Sequence, residues 1–452
     1  MSCYQTMKKL ILFLCVIIFI GCKASSQERL YTKAEIQQDL KFAYEQLTKQ
    51  HPGLYRFTTK QELDRYVNDL LTNAPETVNV WQAYSYISQL IGEISCGHTR
   101  LFANDDELEK LKKRPVFFPL PCRWLSDSLY VKIANAGGAA DWWRVLSINN
   151  LSFAPMLSYL EKRFALDGDS RKGKQLFFDN LAFYYAVFKE RPSTFVLKLQ
   201  SVSTKKDTLV SLPALTWQEL EKMRSENKIV FGTARSNPLE FYTEDHTGFL
   251  TIRNFNSARH KTFHRDYPKF LDSVFRQVRD KKIDHLIIDL RNNGGGDDAY
   301  GALLFAHLTS KPFYYFKEVV KLENDKYVKV HHPQLQQQSP SAVAYSGKTS
   351  LLIDGFTFST AADFAAIFKE HKRGLIAGMD TGGAFQGNNS GESTEVNFPA
   401  TGLILSIPLW RYTNAVKNTA TKTGVIPDVE ILPTISDVYS GRDRARAYVL
   451  GH

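Results

Sequence analysis

The chain is poor in cysteine and has no block of like charges. It contains five cysteines among 452 residues, and beyond Cys22 only Cys96 and Cys122 remain. One pair is a weak signal for a disulfide, and a chain of this length can bury a sufficient core without one. The absence of a charge block argues against a disordered tail. These features exclude a disulfide-rich scaffold and predict a globular protein of two or three domains.

The net charge is mildly basic, without a concentrated basic surface. Lys and Arg total 57 against 47 for Asp and Glu, which gives a net charge of +10. Basic and aromatic residues do not interleave along one stretch, as the groove of a nucleic-acid-binding protein requires. The pattern therefore favours a solvated basic surface and no nucleic-acid partner.

The first residues have the order of an export signal. Two lysines precede an apolar run from Leu10 to Ile20, which is too short to span a bilayer. A small residue then precedes Cys22, as in a bacterial lipoprotein cleavage box, and lipidation of Cys22 would anchor the protein without a spanning helix. Phe19 departs from the usual Leu of that box, so ordinary cleavage near residues 25–27 is the alternative. We expect residues 1–22 to be a lipoprotein signal peptide and the protein to be lipid-anchored or periplasmic in a bacterial cell envelope.

Three regions with different patterns follow this signal. Residues 30–105 show helical periodicity. Thr32 with Glu35 and Thr59 with Glu62 predict capping boxes at the first two helices, and His51, Pro52 and Gly53 break the chain between them. Residues 115–235 alternate short β-prone runs with polar turns, while residues 245–435 alternate strands with helices. The last pattern predicts an α/β fold with a mostly parallel sheet covered by helices. We expect strands at 249–255, 283–290, 350–353 and 374–378, an antiparallel closing strand at 403–410, and a helix at 263–278.

The middle region leaves two interpretations open. Residues 144–150 predict a strand that ends at a turn and resembles the "vlsINg" strand of PDZ modules. A degenerate PDZ-like module would capture a peptide end by strand addition. Another β-rich insert would serve only as a structural lid.

Two strand ends in the α/β region carry candidate catalytic groups. The first is followed by Gly294, Gly295 and Gly296, whose backbone can approach a ligand closely and present N–H groups to an anion. No Lys-Ser/Thr pair follows, so a P-loop is not indicated. The second leads to Ser359 at the start of a helix, where the helix dipole and the N–H of Thr360 favour an oxyanion. The alternative for Ser359 is a plain N-cap serine.

These motifs, in this order, resemble the tail-specific, or C-terminal-processing, serine protease superfamily. Its catalytic domain has segments similar to DLRNNGGG, STAAD, GLIAGMDTGGAFQGNNSG and TGVIPDVEI, which here span about residues 245–432. Secreted bacterial members also have segments similar to GHTRLF and IPLWRYTNAV. The resemblance implies a ClpP/crotonase-like catalytic domain with Ser359 as the nucleophile. It also implies peptide or protein substrates, among them unstructured C-terminal ends, and no metal or organic cofactor.

The chain departs from the Ser-Lys type of this superfamily at the position of the base. About twenty-five residues beyond the nucleophile, where that type has a lysine, this chain has Ala384. A serine hydroxyl still needs a base. The tricorn-like branch uses a histidine from a segment similar to Gly97, His98 and Thr99, so the resemblance assigns the general base to His98.

The resemblance leaves the rest of the site less defined. The tricorn-like branch orients its histidine with a glutamate where this chain has Thr421 to Thr423. Glu392 and Asp428 are the alternatives for that role. The oxyanion hole would combine the backbone N–H of Gly294 or Gly295 with that of Thr360.

Other candidates are weaker. His260 and His264 are four residues apart, but no acidic or Cys partner completes a zinc site, so they are interpreted as surface histidines and no metal is expected. Cys96 lies two residues from His98, but residues two apart do not face each other on a helix, so Cys96 and His98 are not predicted to form a Cys-His catalytic pair. The sequence thus predicts a serine endopeptidase of the cell envelope. The alternative is a catalytically inactive peptide-binding envelope protein with the same fold, and the oligomeric state is left open.

Overall fold

The computed structural model describes most of the chain after the N-terminal signal. Residues 28–452 are described except 126–127, 135–139, 171–172, 175–177 and 227–236. The predicted signal peptide and the lipidation site Cys22 therefore lie outside the described residues. Among the described residues, no helix combines the length and the apolar character needed to cross a bilayer.

The N-terminal region is a layer of helices, and the first two begin as the sequence predicted. In each, a threonine side chain accepts the backbone N–H three residues on, and the glutamate there accepts the N–H of the threonine, which completes a capping box. The apolar faces of these helices belong to a core shared with the middle region. The elements are β1 Leu30–Thr32, α1 Lys33–Gln50, α2 Lys60–Thr72, β2 Thr77–Asn79, α3 Val80–Ile94, β3 Arg100–Phe102 and α4 Asp105–Lys113.

The middle region is built around one antiparallel sheet with helices packed against it. Its elements are β4 Cys122–Leu125, β5 Ser128–Ala134, β6 Ala140–Ile148, β7 Leu151–Ser152, α5 Phe153–Glu161, a 3₁₀ turn Phe178–Asn180, α6 Leu181–Phe188, β8 Thr194–Ser201, β9 Asp207–Pro213 and α7 Trp217–Glu226. The strand order is β4-β5-β6-β8-β9, with β7 paired to β6. The strand predicted at 144–148 is the end of β6, and the turn after it has Asn149 and Asn150 at φ 48° and 66°. The region is β-rich, and its PDZ-like character stays a prediction.

The C-terminal region confirms the predicted α/β fold with a mostly parallel sheet. The sheet and its flanking helices consist of β10 Leu239–Glu244, β11 Thr247–Ile252, α8 Ser257–Thr262, α9 Tyr267–Asp280, β12 His285–Asp289, α10 Asp298–Ala306, β15 Lys348–Ile353, α11 Thr360–Glu370, β16 Leu375–Gly378, β19 Val429–Glu430, α12 Ile435–Ser440 and α13 Arg444–Leu450. Strands β11, β12, β15, β16 and β19 run parallel, and β10 is the antiparallel edge. One face of this sheet packs on α9, α10 and α11, and the other on α13.

A second, antiparallel sheet corrects the predicted role of residues 403–410. It contains β13 Phe316–Glu323, β14 Lys326–Lys329, β17 Asn389–Asn397 and β18 Ile404–Asn414, and a 3₁₀ turn Pro333–Leu335 follows β14. Strand β18 was expected to close the parallel sheet, but it pairs with β13, β17 and β3 instead. The physical reason is its alternation, because a strand that buries every second residue suits a half-solvated antiparallel sheet rather than the doubly covered parallel one. The pairing with β3 ties the N-terminal helices to the C-terminal region.

The helix predicted at 263–278 is confirmed except at its start, because α9 begins at Tyr267 and the separate short helix α8 ends at Thr262. His264 follows the end of α8 with φ 52°, so α8 and α9 cannot be continuous. Asp266 caps α9 by accepting the N–H of Lys269, and Pro268 stands in the first turn. An Asp cap followed by a proline is a strong helix start, which outweighs the apolar periodicity that runs across it.

Candidate active site

Ser359 occupies a strained turn between β15 and α11. Its backbone has φ 54° and ψ −132°, and its side chain makes no capping hydrogen bond to the helix. Ser359 is thus the N-cap residue of α11, but its side chain does not cap the helix. A non-glycine residue in this region costs about 1–3 kcal/mol, and such strain concentrates at functional sites. The turn leaves the Ser359 side chain half-buried at the carboxyl end of the parallel sheet, which is where ligands of open α/β sheets bind.

Hydrogen bonds join the two predicted strand ends into one unit. The Asp354 carboxylate accepts the N–H of Asn292 at 3.0 Å, and the Thr357 hydroxyl donates to the carbonyl of Leu290 at 3.0 Å. The N–H of Phe358 donates to the carbonyl of Asn293 at 2.9 Å. The turn at residues 294–296, the glycine turn, and the turn that carries Ser359 are thus held in a fixed relation.

Gly294 and Gly295 in the glycine turn differ in how closely they pack against Ser359 and in whether their N–H groups already have an acceptor. Gly295 has φ +93°, and a Cβ there would lie 2.6 Å from the Cβ of Ser359, so no other residue fits without displacing the serine. Its N–H already donates to the Asn293 side chain at 2.9 Å. The N–H groups of Gly294 and Thr360 have no acceptor among the described residues. Of the two glycines considered, Gly294 is therefore the one with an N–H available to a ligand.

The structure brings His98 to Ser359 although 261 positions separate them in sequence. The His98 Nε2 atom lies 3.3 Å from the Ser359 Oγ atom, a distance compatible with the somewhat loose contacts of catalytic groups in the absence of substrate. The His98 ring stacks on Phe358 with centroids 4.7 Å apart. Burial lowers the pKa of His98 to about 3, with smaller contributions from Arg100 and His51. His98 is therefore neutral near pH 7, the state in which an imidazole accepts a proton.

A loop of the middle region holds the His98 turn in place. The Asp167 carboxylate accepts the N–H of Gly97 at 2.9 Å, and the N–H of Gly168 donates to the carbonyl of Ser95 at 2.8 Å. The N–H of Asp167 donates to the carbonyl of Gly382 at 3.0 Å, so the same loop contacts the turn that follows β16. The sequence did not indicate Asp167 as a site residue, because a lone Asp in a β-rich region has no pattern that marks it.

On the other side of the turn, His51 supports Thr99. The His51 Nδ1 atom accepts the N–H of Gly53 at 3.1 Å, so its Nε2 atom carries the proton and donates to the Thr99 hydroxyl at 2.9 Å. His51 was predicted only to break the chain between two helices. Its buried ring instead fixes the residue next to His98.

The predicted orienting carboxylates do not contact His98. The His98 Nδ1 atom is buried and has no hydrogen-bond partner within the part of the chain that the structure describes. Asp428 accepts the N–H of Ile376 at 2.9 Å and a hydrogen bond from Lys369 at 3.2 Å, and Glu392 is exposed on β17. Neither residue is positioned as the third member of a triad in this structure. Asp428 instead anchors the start of β16, a backbone role that its place near a strand end in the sequence did not reveal.

The remaining candidates are accounted for by their surroundings. Ala384 is buried and pairs with Gly424, so no lysine occupies the position of the Ser-Lys base. His260 is only 1% exposed and bonds to the carbonyl of Asn254 at 2.9 Å, which corrects its interpretation as a surface residue. No group of three or more metal-ligating residues occurs among the residues the structure describes. Cys96 and Cys122 are buried free thiols.

A serine hydroxyl, an imidazole and two backbone N–H groups without acceptors among the described residues meet at this site, which is the set of groups that serine-type peptidase chemistry requires. The comparisons agree with that class. Residues 246–431 match the model of peptidase family S41, and the protein is a serine peptidase. No curated protein sequence matches the chain.

Solved structures of CPAF share the fold. Mature CPAF superimposes with a TM-score of 0.62 at 16% identity, over 90% of this chain and 94% of that chain. Mature CPAF complexed with lactacystin gives 0.59 at 16% identity, over 90% and 96%. The photosystem II D1 C-terminal processing protease gives 0.43 at 16% identity, over 88% and 93%. At these identities the likeness to CPAF shows the fold alone.

Proposed function

We propose that the chain is a serine endopeptidase that cleaves peptide bonds through an acyl-enzyme on Ser359, with His98 as general base and general acid. The observation that carries the proposal is the 3.3 Å contact between His98 Nε2 and Ser359 Oγ. Ser359 Oγ attacks the scissile carbonyl carbon while its proton moves to His98 Nε2. The imidazolium then gives that proton to the leaving amine, and water, deprotonated by His98, hydrolyses the ester.

Backbone donors stabilise the negative charge that develops on the carbonyl oxygen. The N–H groups of Gly294 and Thr360 flank Ser359 and have no acceptor among the described residues. The N–H of Thr360 also belongs to the first turn of α11, where the helix dipole favours an anion. Preorganised donors of this kind act without reorganising when the charge appears, and loss of one typically costs about 10²–10³-fold in kcat.

The buried environment of His98 suits both of its roles. In the resting enzyme, burial keeps the imidazole neutral and ready to accept a proton. Once the tetrahedral oxyanion forms nearby, its negative charge favours the imidazolium and offsets the cost of burying it. Because the Nδ1 atom has no partner among the described residues, stacking on Phe358 and the anchored 95–99 turn, rather than a carboxylate, orient the ring in this structure.

The proposed location is the bacterial cell envelope, with a lipid on Cys22. The support is the order of two lysines, an apolar run and a small residue before Cys22. Growth of a bacterial expression host with a labelled fatty acid tests this proposal. Incorporation into the wild-type chain but not into Cys22→Ser supports the anchor, and equal label in both contradicts it.

Digestion of an unfolded protein separates the peptidase from an inactive peptide-binding protein. The wild type is expected to generate new N-termini from a reduced, carboxymethylated polypeptide, whereas Ser359→Ala should bind that polypeptide without cleaving it. Mass spectrometry of the products distinguishes the two. Binding by both proteins with cleavage by neither would support the inactive alternative, for which the missing lysine and the absent orienting carboxylate are the favourable observations.

The acid limb of the pH–activity profile should lie at unusually low pH. A general base must be neutral, and burial lowers the pKa of His98 from 6.5 to about 3, so kcat/KM should stay nearly constant from pH 8 down to about pH 5. Arg100→Gln removes a positive charge that lowers this pKa and should move the acid limb to higher pH. Circular dichroism at each pH controls for unfolding. A limb at pH 6.5 in the folded wild type would contradict a desolvated base.

A further inference from the structure

An aromatic pocket is lined by residues that adjoin the proposed catalytic pair in the chain. It has a volume of about 280 Å³, and Gly97 and Phe358 form one of its walls. Gly97 precedes His98, and Phe358 both precedes Ser359 and stacks on the His98 ring. A side chain inside this pocket would therefore be attached to a backbone that passes the nucleophile.

The rest of the pocket comes from parts of the chain outside the S41 domain. Helix α3 and strand β3 form one side, and the segment after α5 together with helix α6 forms the other. Most of these residues are aromatic or aliphatic: Tyr84, Ile91, Leu101, Phe102, Phe164 and Phe183.

The polar groups of Tyr84, Ser88 and Thr99 in the wall already have partners. The Tyr84 hydroxyl donates to the carbonyl of Leu101 at 3.0 Å, and the Ser88 hydroxyl donates to the carbonyl of Tyr84 at 2.7 Å. Thr99 is bonded to His51. The hydroxyl hydrogens of Tyr84 and Ser88 are therefore already committed, and burying a polar side chain without a partner in this mainly apolar pocket would be unfavourable.

The two charged residues of the lining are both arginines. Arg163 is held by the Ser85 hydroxyl at 2.9 Å and the carbonyl of Tyr159 at 2.8 Å. Arg100 is exposed at the pocket and donates to the carbonyl of Gly97 at 3.3 Å. Two guanidinium groups at an otherwise apolar pocket repel a lysine or arginine side chain.

We propose that this pocket selects an aromatic or large aliphatic side chain of the substrate, next to the scissile bond, and rejects basic side chains. An apolar cavity of about 150 Å³ is enough to bind benzene, so the pocket has room for a phenylalanine or leucine side chain. This inference rests on the proposed peptidase function. It adds the class of residue at which the enzyme cleaves.

Kinetics on matched peptides test the proposal. We compare unstructured peptides that differ at one residue. The value of kcat/KM is expected to be highest with Phe or Leu at that residue, lower with Ala and lowest with Lys. Filling an apolar pocket should make Phe roughly 10–100-fold better than Ala. Equal rates for all residues, or a preference for Lys, would overturn the pocket as a specificity site even if hydrolysis itself is observed.

A pair of variants links the preference to this pocket. Phe102 and Tyr242 are both 41% exposed, but only Phe102 lines the pocket. Phe102→Ala should lower the ratio of kcat/KM for the Phe peptide to that for the Ala peptide at least threefold. Tyr242→Ala, on the edge strand β10, should leave this ratio unchanged. Equal labelling of both by a small fluorophosphonate would show that the nucleophile is unaffected. An unchanged preference in Phe102→Ala would contradict the proposal.

Binding separates this inference from the proposed function. Ser359→Ala cannot form the acyl-enzyme, so calorimetry with the same peptides measures the pocket alone. If that variant binds the Phe peptide more tightly than the Ala peptide, and the Ala peptide more tightly than the Lys peptide, the pocket is supported even if the wild type shows no turnover. Equal affinity of Ser359→Ala for the three peptides overturns the pocket as a specificity site, whether or not the wild type hydrolyses peptides.

Discussion

Replacing Ser359 with alanine is expected to lower kcat for peptide hydrolysis by roughly 10⁵–10⁶-fold, the scale seen when a serine protease loses its nucleophile. In the proposed mechanism the hydroxyl at the strained turn attacks the substrate, so the residual rate would come only from binding and the backbone donors. Because the Ser359 side chain makes no capping hydrogen bond to α11, the variant should keep the wild-type fold. Ser273→Ala, an exposed serine on α9, is the matched control and should have wild-type kcat.

The same experiment tests whether Ser359 and His98 act as a unit. His98→Ala should lose nearly as much activity as Ser359→Ala, and the double variant should lose little more than either single variant. Steady-state kinetics on one peptide measures all three. Losses that multiply in the double variant would show that His98 contributes independently of Ser359, and the 3.3 Å contact would then not be a base–nucleophile contact.

The second large effect is expected at Gly295. In Gly295→Ala the new Cβ would lie 2.6 Å from the Cβ of Ser359 and 2.8 Å from the carbonyl oxygen of Phe358, at a φ of +93°. The turn that carries Ser359 must move to relieve these contacts, and a displacement of about 1 Å in a catalytic group can cost about 10²-fold in rate. We expect kcat to fall at least a hundredfold with KM changed much less.

Gly294→Ala is the comparison for that variant. A Cβ at Gly294 meets no atom within 4 Å, and the substitution keeps the backbone N–H. Its loss in kcat should be at least tenfold smaller than that of Gly295→Ala. If the two glycines tolerate alanine equally well, the close packing of the glycine turn on Ser359 is not a requirement of catalysis.

Much of the fold could be predicted from local signals. The capping boxes at Thr32 and Thr59, and the parallel strands of the C-terminal region, have patterns that a short window contains. The predictions failed where a choice depended on partners distant in sequence. Strand β18 was recognised as a strand, but its sheet is decided by pairing with β3 and β13.

The site shows the same division. Ser359, His98 and the glycine turn could be indicated because their motifs are short and follow a recognisable order. The backbone strain at Ser359 and the contact of Asp167 with Gly97 depend on the folded surroundings, so no local pattern contained them. The carboxylates Asp428 and Glu392 were chosen by position near the motifs, and position does not say which backbone groups a side chain will meet.

Covalent labelling of Ser359 tests the central claim most directly. A fluorophosphonate probe reacts with a serine only when a base activates it, and peptide mapping by mass spectrometry identifies the labelled residue. The wild type is predicted to carry one adduct on Ser359, with labelling slowed at least a hundredfold in His98→Ala. Failure of the wild type to label under conditions that label a control hydrolase, or an adduct on another residue, would contradict the account.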